Sequence, residues 1–520
     1  MELFENMLLL LVLAVVLLQL SRRLSLPYPA MLALAGGLTG ALPWAPQVSI
    51  EPHLALALFI APALLDAAYD TAPRELSRNW LPLLALAVVA VLLTTAVVAW
   101  AGWALAGLPL AAAITLGAIV APPDAVAGAT VMQQFRLPRR TMAIINGESL
   151  LNDAVALLIF GAASAAALLP QHSFAAQIPL LLLAVPGGAI LGYLLGKLFV
   201  HMAPAVAGTM SSTIVEFVLT FGTWMLAERL HVSPIIAVVA FGMTVARYLP
   251  ARSTPRDRVH SYSVWGAAVF VLNVLAFLLM GLQARSILSK LTGSALTEAL
   301  VFAGVVVVLV IAVRVAWVMS YGALVRRFGP GMARRGLDVP LPSRRTGMLV
   351  SWSGMRGLVT LATAFALPDQ FPGRDQIVLT AFAVVLGTLI VQGLTIGPLI
   401  SVLKIEEDHS LEHEISKARG KMIDAALSSM DRLARSTAAA RNIADEYRAA
   451  RKAALDLGNP QGSTEYDHLR LQAIRAQRLL LNSLRDRGQI EDDVYHRLEE
   501  ELDWAELHAA STGETRLLSV

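Results

Sequence analysis

Between residues 1 and 403, long apolar runs alternate with short polar loops, whereas residues 404–520 are densely charged. A helix needs roughly 20 predominantly apolar residues to cross a bilayer, and fewer where neighbours shelter its ends. Thirteen segments meet that condition, centred near residues 13, 36, 61, 92, 120, 155, 190, 220, 240, 272, 311, 357 and 390. The pattern predicts an all-α polytopic membrane protein with about 13 transmembrane helices in residues 1–403, followed by a cytoplasmic helical C-terminal domain in residues 404–520. In the latter, Leu411, Ile415, Met422, Met430 and Leu433 recur at helical spacing. Helices are predicted over 410–455 and 464–508, separated by a turn at Gly458-Asn459-Pro460.

Composition agrees with this division. The 520 residues are 56% hydrophobic and 15% charged, with mean hydropathy +0.63, where a soluble domain carries roughly 25% charged residues. Residues 1–403 hold 24 Lys+Arg and 16 Asp+Glu, and the remainder holds 17 and 22. A pI near 9.2 raises nucleic acid as a partner. The basic excess lies in short loops beside apolar segments, however, as membrane topology requires, so no nucleic-acid partner is expected. With the charged tail in the cytoplasm, alternate loops carry 18 Lys and Arg residues, from Arg22 and Arg23 to Arg344 and Arg345. The opposite loops hold four: Arg229, Arg285, Lys290 and Arg374. This bias predicts a periplasmic N-terminus and a cytoplasmic C-terminus. Glu2 and Glu5 stand where a signal peptide needs positive charge, so the first apolar run reads as a retained span. Zero cysteines exclude disulfides, thiolate metal sites and cysteine nucleophiles.

At least six charges fall inside apolar runs: Asp66, Asp124, Glu148, Asp153, Arg314 and Arg356. At about 2.5–3.5 kcal/mol each, they would cost on the order of 15–20 kcal/mol if left unpaired, so they must face one another or water. Glue between helices is the plain explanation. Against it, acids outnumber bases by two, which leaves a deficit for mobile cations, and three of the acids lie within thirty residues in two adjacent helices.

Those helices carry APPDAVA (121–127) and NGESLLNDAVALL (146–158). Pro122 and Pro123 lack N–H groups and clash with a continuous helix, so the backbone should open just before Asp124 and free carbonyls for a cation. In the next helix Ser149, Asn152 and Asp153 stand at i, i+3 and i+4 on one face. Hydroxyl, amide and carboxylate make a hard oxygen site of the kind small alkali or alkaline-earth cations prefer over soft ligands, with Asp153 and Asp124 as its acids. Asp153 has no partner nearby in sequence, so a proton and a cation should compete for its carboxylate. Glu148 lies about 140° away around the helix and is expected to be structural, paired with Arg314 or, second, with Arg356. In SWSGMRGLVTLATAFALP (351–368), Gly354 and Gly357 flank Arg356. They predict either a second break, as in two inverted six-helix repeats meeting at the midplane, or close packing with Arg356 capping neighbouring carbonyls.

Together GESLLND (147–153) with its Asn152–Asp153 pair, GMRG (354–357) and APALLDAAYD (61–70) resemble the bacterial and archaeal sodium/proton antiporters of the monovalent cation:proton antiporter branch shared with animal sodium/proton exchangers. The likeness runs from about residue 5 to 403. It implies a homodimer in the bacterial inner membrane, each protomer having thirteen helices, a dimerisation part and a six-helix core that moves as an elevator. It also implies Asp153 as ion and proton carrier, helped by Asp124, Ser149 and Asn152. A related branch has two consecutive aspartates and moves unequal charge, so Asn152 implies electroneutral exchange. The family's Thr-Asp-Pro is here Pro123-Asp124-Ala125, which leaves the Pro123 carbonyl in the threonine's place without its hydroxyl. Asp66 matches a family acid near the cytoplasmic funnel, and residues 487–506 resemble the tail of many bacterial members. The tail is expected either to regulate or contact the dimer, or to be an inert helical pair; His409, His413, His468, His496 and His508 show no metal spacing.

The expected function is exchange of Na+, with Li+ admitted, for H+; K+/H+ exchange is the alternative, and no cofactor beyond the transported ions is expected. An intramembrane aspartyl protease is disfavoured because Tyr69-Asp70 has no following Gly-x-Gly-Asp. A serine protease is disfavoured because Ser353 lacks the preceding Gly-x. A cation channel would need a filter formed across subunits, for which no repeat is found.

Overall fold

The computed structural model describes residues 9, 12–21, 28–40, 51–71, 73–124, 132, 137–168, 174–209, 211–288, 293–333, 343–405, 408–434, 437–455, 465–487, 489 and 492–509. The Gly458–Pro460 turn, the Glu2 and Glu5 positions, Ala125, and the loop residues Arg22, Arg23, Arg136, Lys290, Arg334 and Arg335 lie outside them. Among the described residues all regular structure is helical. The chain divides into two compact units, Met1–Glu406 and Glu407–Val520.

The first unit runs α1 (Val12–Ser21), α2 (Tyr28–Gly40), α3 (Pro52–Asp70), the short α4 (Pro73–Arg78), α5 (Trp80–Ala106), α6 (Leu110–Val120), α7 (Arg139–Leu168), α8 (Phe174–Val206), α9 (Ser211–Arg229), α10 (Pro234–Tyr248), α11 (Pro255–Leu288), α12 (Ser294–Ala333), α13 (Arg344–Trp352), α14 (Leu358–Phe365) and α15 (Arg374–Leu403). By length and composition α5, α7, α8, α11, α12 and α15 can each cross a membrane, and α1, α6 and α10 are shorter apolar helices. Large apolar side chains such as Leu183, Ile190 and Leu194 on α8 and Val301 and Val308 on α12 face outward, the surface that a bilayer covers. The chain is a multi-pass all-α membrane protein.

Two of the predicted spans are discontinuous. α6 stops at Val120, before Pro122 and Pro123, because neither proline can donate to the helix ladder. The span centred near 357 is two half-helices, α13 and α14, joined by the non-helical residues 353–357. α5 carries one π turn at Ala85–Val89. The Ala85 carbonyl accepts both from the Ala90 N–H across this widened turn and from the Trp317 indole of α12 at 2.8 Å.

Close helix crossings are made with small residues. On α8, Gly188, Gly192 and Gly196 follow one another at four-residue spacing against Ser233, Ala237, Phe241 and Thr244 of α10 and its N-cap, the small-xxx-small arrangement of membrane helices. One large apolar cluster joins α2, α3, α10 and α11 with Leu150, Ala154, Met355 and Leu358. A second joins α5, α6, α12 and α15 with Ala364. Met355 and Leu358 of the second break belong to the first cluster, and Val120 at the first break to the second.

The second unit contains α16 (Ser410–Ala434), α17 (Ala438–Leu455), α18 (Glu465–Asp486) and α19 (Asp492–Ala509). Each of the two long helices expected there is therefore a hairpin. Periodicity alone overlooked the cap signals: Ser436-Thr437 precedes α17 and Gly488 follows α18. Asp424 of α16 takes Arg451 of α17, and Arg478 of α18 reaches Asp503 at 2.7 Å and Glu506 at 2.5 Å on α19. These exposed pairs add specificity more than stability.

The α8–α10 crossing yields a test. A Cβ on Gly192 would collide with the Ala237 carbonyl, whereas one on Gly222 meets nothing within 4 Å. Gly192→Leu is expected to destabilise the protein by about 1–3 kcal/mol through overpacking, read as a lowered melting temperature in detergent, while Gly222→Leu melts like the parent.

Candidate functional site

Breaking a helix inside a membrane leaves backbone groups that hydrocarbon cannot satisfy. At α6 and α13–α14 the buried charges do so. The Arg356 guanidinium donates through Nε to the Val120 carbonyl at 3.1 Å and through Nη2 to the Ala121 carbonyl at 3.2 Å, closing the C-terminal end of α6. Its Nη1 donates to the Gly354 carbonyl of its own loop, and its backbone N–H donates to Thr388 Oγ1 on α15 at 3.0 Å. A cation at a helix C-terminus also complements the helix dipole. Arg356 is 1% exposed; residues 353–357 around it are non-helical, and its guanidinium donates to carbonyls on both sides.

Asp124 serves the opposite end of the second break. Its Oδ2 accepts from the Leu358 N–H at 3.0 Å, capping the N-terminus of α14, and its own N–H donates to the Met355 carbonyl at 2.7 Å. A Cβ at Gly357 would coincide with the Asp124 carboxylate, so glycine is required there by close approach. The two interrupted segments are thus joined backbone to backbone and backbone to carboxylate.

Glu148 and Arg314 form a two-pronged pair, Nη1 to Oε1 at 2.5 Å and Nη2 to Oε2 at 3.0 Å, with the side chains 1% and 3% exposed. Arg314 further donates to the Ser351 carbonyl at 3.2 Å and the Val350 carbonyl at 3.1 Å, the last turn of α13. One guanidinium therefore ties α7, α12 and the end of a half-helix. A Cβ at Gly354 would strike Arg314.

Ser149, Asn152 and Asp153 share the face of α7 beside the first break. Asn152 Nδ2 donates to the Pro123 carbonyl at 3.0 Å, while Asn152 Oδ1 is buried with no hydrogen-bond partner among the described residues. Ser149 Oγ donates to Ile145 O of its own helix at 3.1 Å, leaving its lone pairs as acceptors. Asp153 is 8% exposed, has Asp124 as an electrostatic neighbour, and receives no hydrogen bond or ion pair among the described residues. The arrangement gathers acceptor oxygens, which is what an alkali cation needs.

Asp66 is elsewhere. It lines a cavity of about 140 Å³ with Tyr69, Asp70, Glu216, Ser261 and Tyr262, between α3, α9 and α11. Sequence reasoning did not find Thr388, the Met355 carbonyl or the Leu358 N–H as parts of the site. A Thr in an apolar helix and two backbone groups carry no distinguishing sequence signal.

Residues 8–402 match the family described as sodium/hydrogen exchanger, transmembrane. An uncharacterized Na+/H+ exchanger of Mycobacterium tuberculosis is 28% identical over 92% of this chain and 91% of its own length. A sodium, potassium, lithium and rubidium/H+ antiporter of Bacillus pumilus is 27% identical over 95% of this chain and 76% of its own. Among solved structures, the sodium proton antiporter MjNhaP1 from Methanocaldococcus jannaschii at pH 8 superposes with a TM-score of 0.62 at 19% identity, covering 78% of this chain and all of that one. That likeness gives the same fold for the membrane unit. With its half-helices meeting at Asp124 and Arg356, and with the family match spanning nearly all of the first unit, the chain belongs to the transmembrane sodium/hydrogen exchangers, a family of secondary transporters and not of enzymes.

Proposed function

We propose that Asp153 is the shared carrier of Na+ and H+ in this exchanger, and that the ion binds to its carboxylate together with Asn152 Oδ1, Ser149 Oγ and the Pro123 carbonyl. The observation that carries the reading is the distribution of partners among the buried charges. Glu148 is neutralised by Arg314, Arg356 is spent on carbonyls, and Asp124 accepts at a helix N-terminus. Asp153 alone of these acids has no protein donor among the described residues, and an orphan amide oxygen stands in the residue beside it. Such a carboxylate in low dielectric must take up either a proton or a cation. Mutually exclusive occupancy, alternately open to each side, gives exchange. Asp124 helps by setting the local field and fixing the break, and Glu148–Arg314 is a structural brace.

With Asn152 neutral, a single carboxylate turns over, which supports one-for-one electroneutral exchange. The loop charges of the sequence support an inner-membrane protein with a periplasmic N-terminus and a cytoplasmic C-terminus. A homodimer with an elevator-like core and a regulatory tail completes the reading. Potassium is the second candidate ion. It is favoured by Pro123, which offers a carbonyl but no hydroxyl, and by the name of the Bacillus pumilus relative.

Proteoliposomes with an internal pH dye test the carrier. Asp153→Asn is expected to reduce Na+-driven proton flux to that of empty liposomes, and normal exchange by this variant would refute the site. In the parent, the apparent affinity for Na+ should weaken as pH falls, because protons occupy the same carboxylate; an affinity independent of pH would contradict competition. Parallel Na+, Li+ and K+ gradients rank the ions. A clamped membrane potential that changes the rate would refute electroneutrality. Glu148→Gln should lower stability by about 3 kcal/mol, since removing one partner strands the buried Arg314 charge. It is read as a fall in melting temperature with exchange retained per folded molecule.

A further inference from the structure

A second cavity, of about 270 Å³, opens between α5, α7, α12 and α13. Its chemistry differs from that of the ion site. Arg140 at the start of α7, Arg326 near the end of α12 and Arg344 at the start of α13 converge on it, and none of the described lining residues is acidic. Arg344 is exposed, and Arg140 and Arg326 are half-buried. The first turn of α13, with Ser343, Thr346 and Gly347, lines the same space, so the positive end of a nine-residue helix adds to the three guanidiniums. Below this rim the walls are largely apolar, with Leu86, Ile144, Val318, Val325 and Val350 beside Thr141 and Tyr321. Arg326 and Val318 are eight residues apart on one helix, so the apolar slot reaches about 12 Å below the basic rim.

A charged rim at the ends of membrane helices over an apolar slot fits one amphiphile: a phosphate joined to an acyl chain. We propose that this cavity binds an anionic phospholipid, its phosphate held by Arg140, Arg326 and Arg344 and its first methylenes laid along Ile144, Val318 and Val325. Basic pockets between transmembrane helices are where anionic headgroups are recognised, and guanidinium forks match phosphate oxygens. Thr141 and Tyr321 are the hydroxyl-bearing side chains among the described residues that line the slot, and no charged group lies below the three arginines. The bound lipid would lie against Val350, whose carbonyl accepts from Arg314, and so would touch three helices that brace the ion site. This site goes beyond the exchange reaction and does not depend on which ion is carried.

The test uses the full-length protein, delipidated in detergent, with dioleoylphosphatidylglycerol, dioleoylphosphatidylcholine or inorganic phosphate as probe, read by native mass spectrometry and thermal melting. Phosphatidylglycerol is expected to form a retained adduct and to raise the melting temperature, while phosphatidylcholine and inorganic phosphate do neither. At about fivefold per arginine, Arg326→Gln with Arg344→Gln should weaken retention about twenty-five-fold. A Cβ on Gly347 meets only Met319 Sδ, at 3.8 Å, so Gly347→Leu should block the slot with all charges in place. It keeps the test decisive should the double variant fail to fold. Equal retention of the two lipids, a shift produced by phosphate alone, or undiminished binding by Gly347→Leu would each overturn the proposal.

Discussion

Hydrocarbon cannot hydrate a peptide group, and the rest of this molecule is arranged around that constraint. Interrupting α6 and the α13–α14 segment exposes helix ends at membrane depth, and three charged side chains cover them: Arg356 on the carbonyls of Val120 and Ala121, Arg314 on those of Val350 and Ser351, and Asp124 on the N–H of Leu358. Each charge is stabilised by a partial charge of opposite sign, so neither the ion nor the backbone group is stranded. Burial of these side chains is therefore a requirement of the fold before it is a feature of transport.

The cross-ties also limit what can move. The Asp124 N–H donates to the Met355 carbonyl, the Asp124 carboxylate fills the space a Cβ would need at Gly357, and Glu148 binds α7 to α12 and α13 through Arg314. The interrupted segments and the face of α7 that carries Asp153 are tied to one another by these bonds and by the hydrogen bond from Asn152 to the Pro123 carbonyl.

Much of this was legible in the sequence because it follows from local rules. Two consecutive prolines mark a break wherever they fall in an apolar run. The 140° offset of Glu148 from Asp153 sets the two acids on different faces of α7, and a lone arginine in another apolar run is the natural partner of Glu148. Gly354 and Gly357 were ambiguous because a glycine pair serves both a break and a tight crossing. What could not be read was long-range: that Arg356 reaches back to α6 and that Asp124 caps α14 depends on elements more than 230 residues apart, and the receiving groups are backbone atoms with no signature. In the second unit the periodicity was right, but short caps within it were overlooked, so hairpins were read as single helices.

The hydrogen bond from Asn152 to Pro123 has one more consequence. Its Nδ2 is the group that turns toward the opened backbone, so Oδ1 must turn away from it. A carboxylate at 152 would set oxygen against oxygen across that 3.0 Å gap and would have no hydrogen to offer the proline carbonyl. The valence of the residue next to Asp153 is thus constrained by donor chemistry: an amide there ties down the broken helix by giving a proton to a hydrogen bond while remaining uncharged.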